Sequence, residues 1–194
     1  MFLFYYNKKL ARKSPQLGFS LIELMVTISI VTLVTGIVMV KYTSFNNVVI
    51  LKSQAYELAL DIRAAQVYGV NAKGVNSLFQ GAYGIYFDIS SSGNKNHYIL
   101  FNDLNGNRKY DSGEEIGDTY TIDSRFEISQ ICSGISCTSA NQAGIAFRRP
   151  DFDAYIVAGS AVGESQIDIV ISSVQNSSLS RVVTVYSSGQ ISVQ

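Results

Sequence analysis

Residues 18–40 read GFSLIELMVTISIVTLVTGIVMV, and this stretch decides the fold. From Phe19 to Val40 the only charged side chain is that of Glu23. At about 1.5 Å per residue, a helix of this length crosses the roughly 30 Å hydrocarbon core of a bilayer. The stretch therefore predicts a transmembrane helix over residues 19–40.

The segment before this helix is basic. Residues 1–18 carry no acidic side chain, and their basic side chains are those of Lys8, Lys9, Arg12 and Lys13. The remaining chain has 11 basic and 15 acidic residues. By the positive-inside rule the N-terminus stays in the cytoplasm and the bulk of the chain is extracytoplasmic. A secretory signal places its small residues after the apolar core, whereas Gly18 precedes it, so a cut there leaves the anchor attached.

This order of features resembles the processing site of type IV pilins and the related pseudopilins. The residues that carry the resemblance are Gly18-Phe19-Ser20-Leu21-Ile22-Glu23-Leu24. The resemblance implies that an inner-membrane prepilin peptidase cuts after Gly18 and methylates the new N-terminus at Phe19. It also implies that Glu23 pairs with the processed N-terminal amine of a neighbouring subunit during filament assembly.

Glu23 has a physical argument of its own. A carboxylate at the centre of a membrane helix costs on the order of 2.5–3.5 kcal/mol, so it is expected to have a partner. The alternative is that a side chain near the membrane boundary reaches water. Both explanations stay open at the level of the sequence.

The helix is predicted to continue beyond the membrane, with one apolar side. Apolar residues recur at helical spacing at Phe45, Val48, Ala55, Leu58, Ile62 and Ala65. We expect one helix from about Phe19 to Val70, ended by Gly69, Asn71 and Gly74. The proline that the resembled family usually carries in its membrane helix is absent here, and Gly36 stands in that region.

After residue 80 the pattern changes to short alternating runs, which predict antiparallel strands. The runs are 82–87, 97–102, 119–122, 126–131, 144–148, 167–171, 182–186 and 191–193. The last two runs predict a closing hairpin that resembles that of the FimT and GspH branch of minor pilins and pseudopilins.

The predicted fold is α+β: a long N-terminal helix packed on an antiparallel β-sheet domain, as in the pilin fold. Its predicted parts are a leader peptide over 1–18, a transmembrane helix over 19–40, an amphipathic continuation over 41–74 and a β-rich globular domain over 75–194.

A loop of twelve residues has oxygen-bearing residues at the spacing of an EF-hand. Asp103, Asn105, Asn107, Lys109, Asp111 and Glu114 occupy positions 1, 3, 5, 7, 9 and 12, the seventh offering its backbone carbonyl. Position six favours glycine, but Arg108 stands there. The same residues also suit a solvated turn in which Asp and Asn side chains bond their own backbone. We expect the fold to require no cofactor. The loop is a candidate calcium site.

Cys132 and Cys137 enclose four residues and are predicted to lie in a compartment where disulfides persist. We expect a bridge that closes a small loop. The spacing lacks the Cys-x-x-Cys pattern of a redox pair. The single histidine, His97, lies in an alternating run, and we assign it no role.

The resemblance implies a structural subunit, a minor pilin or pseudopilin, in a type II secretion pseudopilus or a type IV pilus, and not an enzyme. Its partners would be other pilin or pseudopilin subunits, prepilin peptidase, the inner-membrane assembly platform and inner-membrane lipid. The alternatives are a membrane-tethered, calcium-dependent binding protein or adhesin, and a DNA-uptake minor pilin. We do not expect a nucleic-acid partner. A basic strip with aromatic residues would be needed outside the leader, and the sequence offers only Arg148-Arg149 beside Phe147, and Arg181 near the C-terminus.

Overall fold

The computed structural model of the chain describes residues 18–71, 81–90 and 95–194, with side chains of residues 40–44 excepted. The predicted leader before Gly18 and residues 91–94 lie outside the described residues, as do Gly74 and the start of the predicted β-rich domain at 75–80. The chain divides into two compact units, one ending at Ser44 and the other comprising Phe45–Gln194. The fold is α+β, as the sequence predicts.

The helix α1 runs from Leu21 to Val70. It begins where the carbonyl of Ser20 accepts the N–H of Leu24 at 3.1 Å, the first bond of the helical ladder. The segment Leu21–Met39 has a mean hydropathy of 2.3 and is long and apolar enough to cross a membrane. All of its side chains are exposed in the isolated chain.

Three hydroxyl groups in this apolar segment bond within the helix. The hydroxyls of Thr27, Ser29 and Thr32 donate to the carbonyls of Leu24, Met25 and Ile28 at 2.8–2.9 Å. A hydroxyl satisfied in this way does not need water, so these three residues are compatible with a hydrocarbon environment.

Within the described residues eleven strands follow the helix. They are β1 (Tyr83–Asp88), β2 (His97–Asn102), β3 (Tyr120–Thr121), β4 (Phe126–Ser133), β5 (Thr138–Ala140), β6 (Gln142–Phe147), β7 (Ala154–Ala158), β8 (Ala161–Val162), β9 (Gln166–Ser173), β10 (Ser180–Tyr186) and β11 (Ile191–Val193). All the paired strands are antiparallel, and β10 and β11 form the predicted closing hairpin.

The strands form two sheets. The first has the order β3-β2-β1-β6-β7-β8, and the second β11-β10-β9-β4-β5. The sequence missed β5, β7 and β8. Two of these have only two or three residues, too few for an alternating pattern to be recognised.

The second half of α1 and both sheets share one core. The helix contributes Leu51, Ala55, Leu58, Ile62 and Ala65, each no more than 1 % exposed. Four of these were predicted to form the buried stripe. The prediction was wrong for Phe45 and Val48, which are 67 % and 37 % exposed.

Gly69 has a second role that the sequence did not suggest. It lies one residue before the end of α1, where the helix packs against strand β6. A Cβ atom at Gly69 would come within 2.3 Å of the backbone oxygen of Phe147. Glycine is therefore required for close packing here, in addition to its proximity to the helix end.

Candidate functional site

The predicted processing site lies just outside the helix. Gly18, Phe19 and Ser20 are non-helical and exposed, and the side chain of Phe19 is 83 % exposed. Among the described residues, no group lies within 4 Å of the place that a Cβ atom would take at Gly18. The peptide bond after Gly18 therefore lies outside the helix, in an exposed part of the described chain.

Glu23 lies in the first turn of α1. Within the residues that the structure describes, its carboxylate has no hydrogen bond and no ion pair. A carboxylate is favourable near a helix N-terminus, because the first N–H groups of the helix carry partial positive charge. That interaction does not supply the counter-charge that burial in a membrane would demand.

The twelve-residue loop is organised by the carboxylate of Asp103, which is 1 % exposed. Its Oδ1 accepts the N–H groups of Gly106 at 2.7 Å and Asn107 at 3.2 Å, and its Oδ2 accepts that of Arg108 at 2.8 Å. Arg108 adopts a φ of 59°, the left-handed conformation that the sixth position of an EF-hand requires and that glycine usually supplies. The bond to Asp103 holds this arginine in that conformation.

The other end of the loop is fixed by Glu114, which is 6 % exposed. Its Oε1 accepts the N–H of Leu104 at 2.9 Å, and its Oε2 accepts that of Asp111 at 3.0 Å. The N–H of Asp103 also donates to the carbonyl of Ala82 at 2.8 Å, which anchors the loop to the start of β1. Two buried carboxylates thus close the loop through its own backbone.

The remaining ligand candidates bond one another. The side-chain amides of Asn105 and Asn107 each donate to Oδ2 of Asp111 at 2.7 Å. These two bonds, that from Asn105 first, lower the pKa of Asp111 below its usual value. The amide oxygens accept backbone N–H groups, that of Asn105 from Asn107 at 2.9 Å and that of Asn107 from Lys109 at 2.7 Å.

This arrangement differs from a filled calcium site. Calcium takes six to eight oxygens around one point, whereas here two amide nitrogens face Asp111. Among the described residues, no group of three or more His, Cys, Asp or Glu side chains is placed to hold a metal ion. Calcium binding by the loop stays a prediction, and it requires the amides of Asn105 and Asn107 to turn their oxygens inward.

Tyr110, which lies within the loop, packs it against the first sheet. Tyr110 stacks on Tyr86 with ring centroids 4.4 Å apart, and its ring edge meets Phe101. The Tyr110 hydroxyl donates to Glu115. Burial, and then this hydrogen bond, raise the pKa of Tyr110 to about 12. The loop therefore covers a second, smaller hydrophobic cluster that includes Phe101, Ala82 and Ala146.

The predicted bridge between Cys132 and Cys137 is present, with the Cα atoms 4.5 Å apart. It joins the end of β4 to the residue just before β5, so it closes the turn of that hairpin. Both sulfurs are consumed, and neither is a free nucleophile. His97 lies on β2, and its Nδ1 is buried with no hydrogen-bond partner among the described residues.

Comparison with known proteins identifies one segment. Residues 13–39 match the family model described as the prokaryotic N-terminal methylation motif. No curated protein and no solved structure matches the chain significantly. The matched segment contains Gly18, Phe19 and Glu23 and coincides with most of the apolar helix. It indicates a type IV pilin-like substrate of prepilin peptidase, and it fits a membrane-anchored chain with a single span.

Proposed function

We propose that this chain is a structural subunit, a minor pilin or pseudopilin, of a type II secretion pseudopilus or a type IV pilus. The observation that carries the proposal is the methylation motif over residues 13–39, which coincides with the helical segment Leu21–Met39, whose apolar side chains are all exposed. An exposed apolar helix of this length needs lipid or other helices around it. A subunit that assembles through such a helix has both environments in succession: the membrane before assembly, and the helices of neighbouring subunits afterwards.

Processing would begin at the bond between Gly18 and Phe19. This bond lies in the exposed, non-helical segment before α1, so cleavage does not require the helix to unwind. Cleavage leaves the amine of Phe19 at the start of the apolar helix, where methylation follows. The basic leader would be removed, and the body of the chain would stay anchored with its C-terminus outside the cytoplasm.

Glu23 would serve assembly. Its carboxylate has no partner among the described residues, while the hydroxyls of Thr27, Ser29 and Thr32 are satisfied within the helix. The missing counter-charge would come from the processed N-terminal amine of another subunit. This pairing would fix the axial position of each new subunit against the last, since a shifted subunit would leave both charges unpaired in an apolar environment.

The second unit offers a further surface to neighbouring subunits. Exposed apolar residues recur along its helix at spacings of four and seven, namely Phe45, Val49, Tyr56, Leu60 and Val67. At about 100° per residue these positions fall within an arc of roughly 60°. The core-facing residues of the same helix lie on the other side. We name this row the outer stripe and propose that another filament subunit covers it.

No catalytic role is proposed, because the motif is that of structural subunits. The expected partners are related pilin subunits, prepilin peptidase, the inner-membrane assembly platform and lipid. Calcium at the twelve-residue loop would be an accessory ligand that the fold does not require. The motif does not distinguish a secretion pseudopilus from a pilus, so that choice depends on the partners.

The test is a pull-down of tagged, full-length protein from its host in mild detergent, with mass spectrometry of the partners and of the bait's N-terminus. We expect a bait that begins at methylated Phe19. A Gly18→Val variant should retain Met1, whereas the control Gly36→Val, at a glycine within the helix, should be processed normally. Partners that include a secretin would indicate a secretion pseudopilus, and a major pilin would indicate a pilus.

A second measurement isolates assembly. Glu23→Gln should still be cleaved but should be lost from the sheared filament fraction. Leu60→Lys in the outer stripe should also reduce the amount of protein in that fraction, without lowering the melting temperature. A wild-type bait that begins at Met1 in cells with active prepilin peptidase would refute the filament proposal. A membrane-tethered binding protein or adhesin would then be the better explanation.

A further inference from the structure

A cleft of about 480 Å³ brings together arginines that are distant in sequence. Arg108 comes from the twelve-residue loop, and Arg148 and Arg149 follow strand β6. All three side chains are exposed. We call this site the arginine cleft; it is lined also by Asp151, Asp153 and Tyr155.

The loop places Arg108 in the cleft at a cost to its backbone. A φ of 59° is disfavoured for a residue with a Cβ atom, and the buried carboxylate of Asp103 maintains it through the Arg108 N–H. The guanidinium lies over the ring of Tyr155, 5.2 Å from its centroid. This contact orients the charged group without neutralising it, because an aromatic ring carries no net charge.

The arginines of the cleft lack counter-ions. In the described part of the chain the ion pairs are Lys95 with Glu127 and Arg125 with Asp123, and neither involves the cleft. Asp151 and Asp153 line the same cleft, but neither comes within 4.0 Å of an arginine nitrogen. The cleft thus holds three unpaired guanidinium groups beside two unpaired carboxylates.

We propose that the arginine cleft binds a short acidic segment of another protein. Guanidinium groups match carboxylates in a planar, two-bond geometry, and three of them in one cleft can hold two or three neighbouring acidic side chains. Asp151 and Asp153 would accept hydrogen bonds from the backbone N–H groups of the same segment. A peptide offers both carboxylates and N–H donors, so it satisfies both kinds of charge in the cleft.

A nucleic acid fits these charges less well. It presents phosphates at every step and few donors to satisfy the two aspartates. A long polyanion would also extend over the rest of the body, which has 11 basic and 15 acidic residues after residue 18. Phe147, beside the arginine pair, is fully buried in the core and cannot stack on a base. A short acidic peptide feels mainly the local charge of the cleft.

The test measures peptide binding to the full-length protein in non-ionic detergent by fluorescence anisotropy. The probes are labelled hexaglutamate, hexaglutamine and a hexathymidylate oligonucleotide, each at low salt. We expect hexaglutamate to bind and hexaglutamine to bind at least about tenfold more weakly, with hexaglutamate affinity falling as salt is added. The oligonucleotide should bind more weakly than hexaglutamate.

Variants locate the binding in the cleft. Arg108→Gln and Arg148→Gln should each weaken hexaglutamate binding by about three- to tenfold, as expected for the loss of one partly exposed charge pair. The control Arg181→Gln removes the same charge from β10 in the other sheet and should change binding less than about twofold. The double variant Asp151→Asn/Asp153→Asn keeps an oxygen acceptor at each position but removes the negative charge, so it should narrow the preference for hexaglutamate over the oligonucleotide. Melting temperatures establish that each variant is folded.

Three results would overturn the proposal. One is an equal effect of Arg181→Gln and the cleft variants, which would make binding non-specific. Another is tighter binding of the oligonucleotide than of hexaglutamate, which would assign the cleft to nucleic acid. The third is an absence of hexaglutamate binding by protein with a wild-type melting transition. None of these results bears on processing at Gly18, so the filament proposal is tested separately.

Discussion

Substitution of Asp103 by asparagine is expected to destabilise the second unit, whether or not calcium is present. The carboxylate is 1 % exposed and accepts three backbone N–H groups, at 2.7, 2.8 and 3.2 Å. An asparagine retains one oxygen but presents an NH₂ group to the remaining donor or donors. A buried N–H that loses a charged acceptor costs about 1.5–3 kcal/mol, which corresponds to a drop of roughly 3–12 °C in melting temperature for a unit of this size.

The assay is thermal unfolding of the full-length protein in mild detergent, once in EDTA and once in millimolar calcium. If the loop is held by its own hydrogen bonds, Asp103→Asn lowers the melting temperature by the same amount in both buffers. If calcium holds the loop, the wild-type protein gains stability with calcium, and Asp103→Asn abolishes that gain. The same variant should weaken binding of an acidic peptide to the arginine cleft, because the carboxylate sets the backbone of Arg108.

Asp111→Asn is the matched control. Asp111 lies in the same loop but is exposed, and its carboxylate accepts only two side-chain amides. This variant should shift the melting temperature by no more than about 2 °C in EDTA. A melting temperature of Asp103→Asn within about 1 °C of wild type in EDTA would refute the reasoning, since a buried carboxylate with three N–H donors cannot be replaced at no cost.

Two glycine substitutions, a change of pH and a cysteine substitution test the second unit. Gly84→Ala should cost about 1–3 kcal/mol, because a Cβ there would meet a backbone oxygen of the adjacent strand at 2.4 Å, whereas Gly144→Ala should be tolerated, since nothing lies within 4 Å. Hydrogen bonding by Arg125 lowers the pKa of Asp123 to about 2, so the protein should lose stability as the pH falls from about 4 towards 2, by about 1–3 °C for this exposed pair. Cys137→Ser should cost about 2 kcal/mol through loss of the short disulfide loop.

Each of these predictions has a matched control. Equal melting temperatures for Gly84→Ala and Gly144→Ala would contradict the close approach of the strands. The sign of the pH effect follows from the direction of the shift: a carboxylate with a depressed pKa stabilises the folded state only while it is ionised. Asp123→Asn should therefore reduce the loss of stability between pH 4 and 2, and an unchanged loss would argue against the pair. Addition of a reductant should reproduce the Cys137→Ser loss in the wild type and leave the variant unaffected.

Local pattern predicted much of this molecule. The apolar run after Phe19 indicates a helix, because side chains at neighbouring turns of one segment determine it. The alternation in 97–102 predicted β2 with its observed bounds, since a strand half-buried in a sheet must alternate, and the predicted closing hairpin gave the bounds of β11. The glycine and glutamate of the methylation motif are likewise read directly from the sequence. The bridge between Cys132 and Cys137 follows from short spacing, which brings the two sulfurs together in a turn.

Other features depend on residues that are distant in the chain. Phe45 fits the helical spacing of apolar residues, yet it is exposed. The spacing shows which residues share a face of the helix, but it does not show which face another element covers. Gly69 looks like a helix terminator until strand β6 is placed against it. The division of the strands into two sheets also comes from long-range pairing, such as that of β1 with β6 and β4 with β9.

The sequence by itself determined the apolar anchor, its processing motif, the α+β class and the disulfide, because each arises from residues within about one helix, strand or turn of one another. Only the tertiary structure decided what Arg108 and Arg148 do. Forty residues separate them, and a loop closed by Asp103 and a strand that ends at Phe147 bring them into one cleft. Their charges act together because electrostatic interactions depend on distance in space, which no spacing along the chain records.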